Sequence, residues 1–264
     1  MSYLQPDYTP RVSIELVARS LEGLAAELET IRARFPFVDT VNIPDLTRFA
    51  LRSTDACAAA QRCVRRAIPH LRAVATDLKD LRPLLRHLDE AELHEVLVVA
   101  GDPPADMRYA VYPTSSVQLI RAIKAALPHV TVYAALDPYR QSFVRERDYA
   151  LEKLEAGASG LFTQPFFDLR LMHVYRELLP GVTLYWGVTT VTTARSLGYW
   201  QTRNRAIFPA DFAPTLAWSR DFAARALEFA RQTRSNLYFM PIKSRLEDFL
   251  GGVLTPQRLG VGAV

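Results

Sequence analysis

The stretch Gly157–Asp168, GASGLFTQPFFD, decides the fold. It follows Arg145–Ala156, whose apolar spacing predicts a helix. Gly157 suits the position just past that helix, because glycine takes a positive φ without a Cβ clash. Leu161–Thr163 is a short apolar run of strand type, and Gln164 is the polar residue at its end. Asp168 then opens a second helix, Asp168–Leu179. Helix, glycine turn, strand and helix in this order form the repeating unit of a parallel sheet. When such units close into a barrel, ligands bind at the C-terminal ends of the strands, which places Gln164 at the binding mouth.

The same alternation runs outward in both directions. Strand-like runs stand at Val12–Val17, Val38–Ile43, His70–Ala75, Val96–Ala100, Val130–Leu136, Val182–Val188 and Leu237–Ile242. Helical periodicity fills Leu21–Arg34, Thr54–Ala67, Leu81–Leu93, Ser115–Leu127, turns from Thr192, Pro214–Arg234 and a closing Ser244–Leu250. About eight β-then-α units predict an α/β fold, a single-domain (β/α)8 TIM barrel over residues 12–254. An open doubly wound sheet shares the alternation, but the number of units favours closure. Residues 1–11 read as an N-terminal arm and the glycine-rich 255–264 as a flexible tail.

Composition narrows the function classes. The chain has 264 residues, 49% of them apolar, enough for a full core. No apolar run reaches the roughly 20 residues of a membrane span. The opening MSYLQPDYTPR lacks the basic-then-apolar pattern of a secretory signal, so the expected location is the cytoplasm. The net charge of +4 is spread among acids along the helices, as in Arg145–Lys153. There is no basic stripe with interleaved aromatics, so a nucleic-acid partner is not expected. Small-molecule substrates are, and a homo-oligomer is compatible with the sequence. Cys57 and Cys63 lie six residues apart on one predicted helix, a spacing that fits neither a metal site nor a disulfide.

Strand alternation singles out one acid. Val12, Ile14 and Leu16 share a face suited to the helix ring, which turns Ser13, Glu15 and Val17 toward the lumen. A carboxylate there is costly unless it is paired, hydrated or protonated. Glu15 is therefore either a buried acid with a structural partner or a carboxyl group of raised pKa, usable as an acid.

Several segments, in order along the chain, resemble the methylenetetrahydrofolate reductase family, of which this would be a divergent member. SIELVARS, Ser13–Ser20, is similar to its "FEFFPPRT"; IPHLRA, Ile68–Ala73, to "HLTC"; VVAGDPP, Val98–Pro104, to "LRGDPP". The stretch around Gln164 is similar to "AGA…TQ.FFD", with Pro165 in place of an aromatic residue. The resemblance implies Glu15 as catalytic acid, Asp102 beside flavin and folate, Gln164 on the pterin ring, and His70 and Gly101 at the flavin. Lys153 keeps the position of a lysine that pairs with flavin phosphate. Each segment also has a plainer reading. Gly101-Asp102-Pro103-Pro104 is good turn chemistry, His70 a satisfied core histidine, and Phe166 and Phe167 helix packing. Lys243, ending the last strand, suits either a Schiff-base lysine or, more simply, a surface cap.

The departures bear on the cofactor. Ala100 replaces an arginine that helps hold flavin phosphates, and Leu136–Arg140 replaces a run carrying two flavin contacts. Arg140 is the candidate replacement. The implied activity is reduction of 5,10-methylenetetrahydrofolate to 5-methyltetrahydrofolate with NAD(P)H, through FAD or by direct hydride transfer without flavin. The mild positive charge suits dinucleotides or a folate glutamate tail. A proline-dehydrogenase-like flavoenzyme on the same barrel and a non-catalytic pterin-binding partner in methyl transfer are the alternatives.

Overall fold

The structure, a computed structural model, describes residues 8–102 and 110–260. Pro103 and Pro104, the first seven residues of the expected arm and the last four of the expected tail lie outside the described residues. Eight parallel strands close in sequence order: β1 (Val12–Glu15), β2 (Thr40–Ile43), β3 (Arg66–Arg72), β4 (Glu95–Val99), β5 (Thr131–Leu136), β6 (Gly160–Pro165), β7 (Leu184–Thr189) and β8 (Asn236–Met240). The register Ile14↔Phe239 joins β1 to β8 and leaves no open sheet edge. The helices are α1 (Leu21–Arg34), α2 (Ser53–Ala60), α3 (Arg82–Glu90), α4 (Ser116–Ala126), α5 (Phe143–Glu155), α6 (Leu169–Leu178), α7 (Ala194–Thr202), α8 (Leu216–Gln232), α9 (Leu246–Leu250) and α10 (Pro256–Leu259). The chain is a single-domain (β/α)8 barrel, as the alternation predicts.

Local chemistry fixes most helix starts. Ser20, Ser115, Ser142, Asp168 and Thr215 each accept an N–H of the following first turn. Gly157 has φ +111°, beyond the end of α5, as its place in the sequence requires. Two adjoining expectations fail: the helix Thr54–Ala67 is too long, and the strand expected at His70–Ala75 runs over Arg66–Arg72, with Ala73–Ala75 a 3-10 turn. The alanine-rich Thr54–Ala67 reads as one helix, but α2 stops at Ala60 and β3 begins at Arg66. Pairing decides this: β3 must start there to meet β2 at Thr40↔Arg66, and Arg66 then reaches Asp39 at 2.8 Å and Glu95 at 2.9 Å. Tertiary contacts override helix propensity. Within the stretch read as a tail, α10 buries Leu259.

Alternation sorts side chains into two cores. Val12, Ile14 and Leu16 join the large core between sheet and helices. The lumen holds Ile68, Leu97, Tyr133, Phe162, Tyr185, Tyr238 and Met240. Phe162 stacks on Tyr185 at 4.0 Å and meets Tyr238 edge-on at 5.3 Å. These rings fill the barrel and form the floor beneath its C-terminal mouth. Phe166 and Phe167 are both buried, Phe166 against Tyr175 and Trp186 and Phe167 against Phe208, so they serve packing.

Candidate active site

A cavity of about 700 Å³ opens at the C-terminal mouth. Glu15, His70, Gly101, Asp102, Arg140, Lys153 and Gln164, the seven residues that the family resemblance and its departures singled out, all line it. Lys243 is exposed and lies off this lining, consistent with a surface role.

Glu15 ends β1 and turns into the cavity. It accepts a hydrogen bond from the hydroxyl of Tyr238, on the far side of the β1–β8 seam. Burial pushes its carboxyl up to about 7, and the tyrosine bond only partly offsets that. Among the described residues no cation answers it. Glu15 thus exchanges a proton near neutral pH, which a general acid requires.

His70 is buried on β3, and burial lowers its pKa to about 3, so the ring is neutral. Its Nε2 lies 3.4 Å from Asn42 Nδ2, while Asn42 Oδ1 accepts the Ser13 hydroxyl. With the amide so oriented, Nε2 is the acceptor and the ring proton sits on Nδ1. This lumen chain of Ser13, Asn42 and His70 was not foreseen. Its one sequence signal is the alternation that turns Ser13 inward.

Gln164 reaches the cavity through an irregularity. The β6–β7 register shifts between Phe162 and Pro165, a bulge that leaves Gln164 exposed at the strand end. Gly187 on β7 makes the bulge possible. A Cβ there would lie 2.4 Å from the Thr163 carbonyl oxygen and 2.8 Å from the Met240 methyl carbon. The Gly187 N–H donates to Thr163 Oγ1 at 2.8 Å, and its carbonyl accepts from Phe166 at 2.9 Å. Pro165 turns its carbonyl to the Tyr139 hydroxyl at 2.9 Å.

Asp102 is exposed at the rim, and its carbonyl accepts the Arg72 guanidinium. Gly101 has φ +78°, and a Cβ on it would meet Arg72 Cβ and Nε at 3.0 Å. Its role in the fold is to let Arg72 cross it.

The β5 wall is self-contained. Arg140 donates to the buried Glu146 at 2.8 and 3.1 Å and lies 4.8 Å over the Tyr149 ring. Glu146 also accepts the Asp137 N–H and the Gln141 amide. Lys153 donates to the Ala135 carbonyl at 2.6 Å, and its buried ammonium is pulled down to about 8 by loss of water. Glu146 reads in sequence as an ordinary helix acid, and only the closed barrel shows its buried partners. After β7, Tyr199 and Trp200 on α7 and the following Asn204 also line the cavity, and Asn204 Nδ2 is buried without a partner among the described residues.

Known structures share this architecture. A Clostridium thermocellum protein that binds two copies of 5-methyl-5,6,7,8-tetrahydrofolic acid superposes with a TM-score of 0.65 at 11% identity, covering 94% of this chain and 95% of that one. A 2,3-dimethylmalate lyase gives 0.57 at 9% identity over 89% of this chain and 75% of its own. Orotidine 5'-phosphate decarboxylase from Pyrococcus horikoshii gives 0.56 at 11% identity, over 96% and 100%. At such identities these matches speak for the fold alone. The sequence model of methylenetetrahydrofolate reductase matches residues 24–217, a span that includes His70, Asp102, Lys153 and Gln164 but not Glu15 or Tyr238. That span is most of the 264 residues, and the chain belongs to the methylenetetrahydrofolate reductase family.

Proposed function

We propose that this protein binds a reduced folate in the barrel mouth and reduces 5,10-methylenetetrahydrofolate to 5-methyltetrahydrofolate with NAD(P)H. The observation that carries this reading is Glu15: a carboxyl group with a pKa near 7, on a cavity floor, held by a neutral tyrosine. Reduction begins by opening the five-membered ring. Glu15 gives its proton to N10, the bond from the bridging carbon to N10 breaks, and an iminium forms at N5. Asp102 stabilises that cation electrostatically. Gln164, aimed by the β6 bulge, holds the pterin so that the carbon faces the donor. A hydride supplies the two electrons that make the methyl group, and Glu15 recovers a proton from solvent.

Membership of the family implies FAD as the relay. The wall expected to hold its phosphates does not fit them well. Arg140 and Lys153 stand against Glu146 and Asp137, two positive charges against two negative, and Lys153 is turned to a backbone carbonyl. No step is therefore assigned to flavin, and hydride transfer directly from NAD(P)H is the route these residues favour. The folate-binding neighbour favours a second reading, folate binding without reduction.

The absorption spectrum of the purified protein, before and after adding NADH, separates these routes. A colourless protein that oxidises NADH only when methylenetetrahydrofolate is present supports direct reduction. Stoichiometric yellow flavin that NADH bleaches restores the relay. Folate binding with no NADH or NADPH oxidation overturns the reductase assignment.

A further inference from the structure

We infer that Arg48 and Arg72 form an anion subsite on the β2–β4 side of the cavity, taking the doubly charged end of a ligand, phosphate or carboxylate. Both side chains line the cavity, Arg72 from the end of β3 and Arg48 from the loop after β2. Neither pairs with a carboxylate among the described residues. Asp45, the nearby acid, is taken by Arg52.

Arg72 is built into place. It crosses Gly101, where a Cβ would come within 3.0 Å of its Cβ and Nε, and it donates to the Asp102 carbonyl. That bond uses one of its five N–H groups and none of its charge. Arg48 lies 4.9 Å from the Phe49 ring centroid, and Arg19 approaches the same ring at 5.7 Å. A stacked guanidinium keeps its edge donors free. Planar forks of this kind match phosphate and carboxylate oxygens two at a time.

Charge balance points to the same side. The β5 wall sums to zero. Among the described residues of the β2–β4 rim, Arg48 and Arg72 outweigh Asp102 by one positive charge, with Arg52 and Asp45 cancelling.

The ligand's identity rests on the folate reading, but the subsite itself does not. Its test therefore includes inorganic pyrophosphate, titrated calorimetrically at low salt into the full chain. NADH and 5-methyltetrahydrofolate carrying one or three glutamates are titrated beside it. The variants are Arg48→Ala and Arg72→Met, the latter keeping the packed stem across Gly101. Pyrophosphate affinity should fall about tenfold or more in each variant, with a shallower salt dependence. A matching loss for NADH alone assigns the subsite to the dinucleotide phosphates. A loss confined to the triglutamate assigns it to the folate tail. Pyrophosphate loss without binding of either substrate upholds the subsite and removes the folate reading. Unchanged affinities for all four ligands in both variants, or no measurable binding of any of them to the wild type, overturns the proposal.

Discussion

The two ends of the barrel solve the same problem in opposite ways. At the N-terminal end, charge enters the lumen only in pairs. Arg11 reaches Glu95 at 2.8 Å and donates to Thr40 at 3.0 Å and to Tyr133 and Tyr185 at 3.2 Å. Arg66 closes on the other Glu95 oxygen at 2.9 Å. At the C-terminal end, Glu15 faces a hydroxyl and, among the described residues, no cation, and His70 is neutral. One end spends its charges on closing the barrel. The other keeps a proton available at neutral pH, which is what the proposed acid step needs.

The largest expected effect comes from the open end. Glu15→Gln keeps size and a hydrogen-bond partner for Tyr238 but cannot donate a carboxylic proton. Folate reduction should fall roughly 10²–10⁴-fold, while folate affinity stays near wild type. Wild-type turnover should itself decline as pH rises through about 7 and the acid ionises. The sign for stability follows. The folded pKa is raised from 4.5 to about 7, so the native state holds the extra proton in that window, and stability falls as pH rises across it. Glu15→Gln should remove that slope, measured by denaturant titration at several pH values. A variant with near wild-type turnover would refute the assignment.

At the closed end the cost should be structural. Glu95→Ala strands Arg11 and Arg66 and should lower unfolding free energy by about 3 kcal/mol, the low end for a buried pair because this one is partly wet. Folate binding by the folded protein should be unchanged. If folate affinity falls instead while stability holds, the division of labour between the two ends is wrong.

Gly187→Ala probes the bulge that aims Gln164. Its Cβ must displace both the Thr163 carbonyl and the Met240 side chain, at a cost of about 1–3 kcal/mol. Folate affinity should drop along with stability, whereas Gln164→Ala should lose affinity alone. Equal folate affinity in Gly187→Ala and wild type would show that the bulge does not position Gln164.

Tyr238→Phe should give the smallest effect. The lost hydrogen bond favoured the carboxylate, so the Glu15 pKa rises and the descending pH limb moves to higher pH. The rate below that limb should change by no more than about tenfold, the worth of one hydrogen bond. A limb that stays in place would mean that Tyr238 does not tune the acid.

Much of this was legible in the chain. Hydrophobic alternation needs only local spacing, so it marked the strands, the outward face of β1 and the inward turn of Glu15. Gln164 was legible for the same reason: a polar residue just past an apolar run sits at a strand end. Gly157 could be read from backbone sterics alone. The end of α2 was not legible, because the register of β3 against β2 outweighs alanine's helix propensity. The surroundings of each site residue were equally hidden. Tyr238 stands 223 residues from Glu15, and only barrel closure brings its hydroxyl to the carboxylate. Glu146 looks like a solvent-facing helix acid until α5 packs on β5 and buries it against Arg140. Residue type and spacing therefore determined which groups face the mouth. The tertiary structure decided which of them remain chemically free, because burial, partners and pKa depend on what other strands place alongside them.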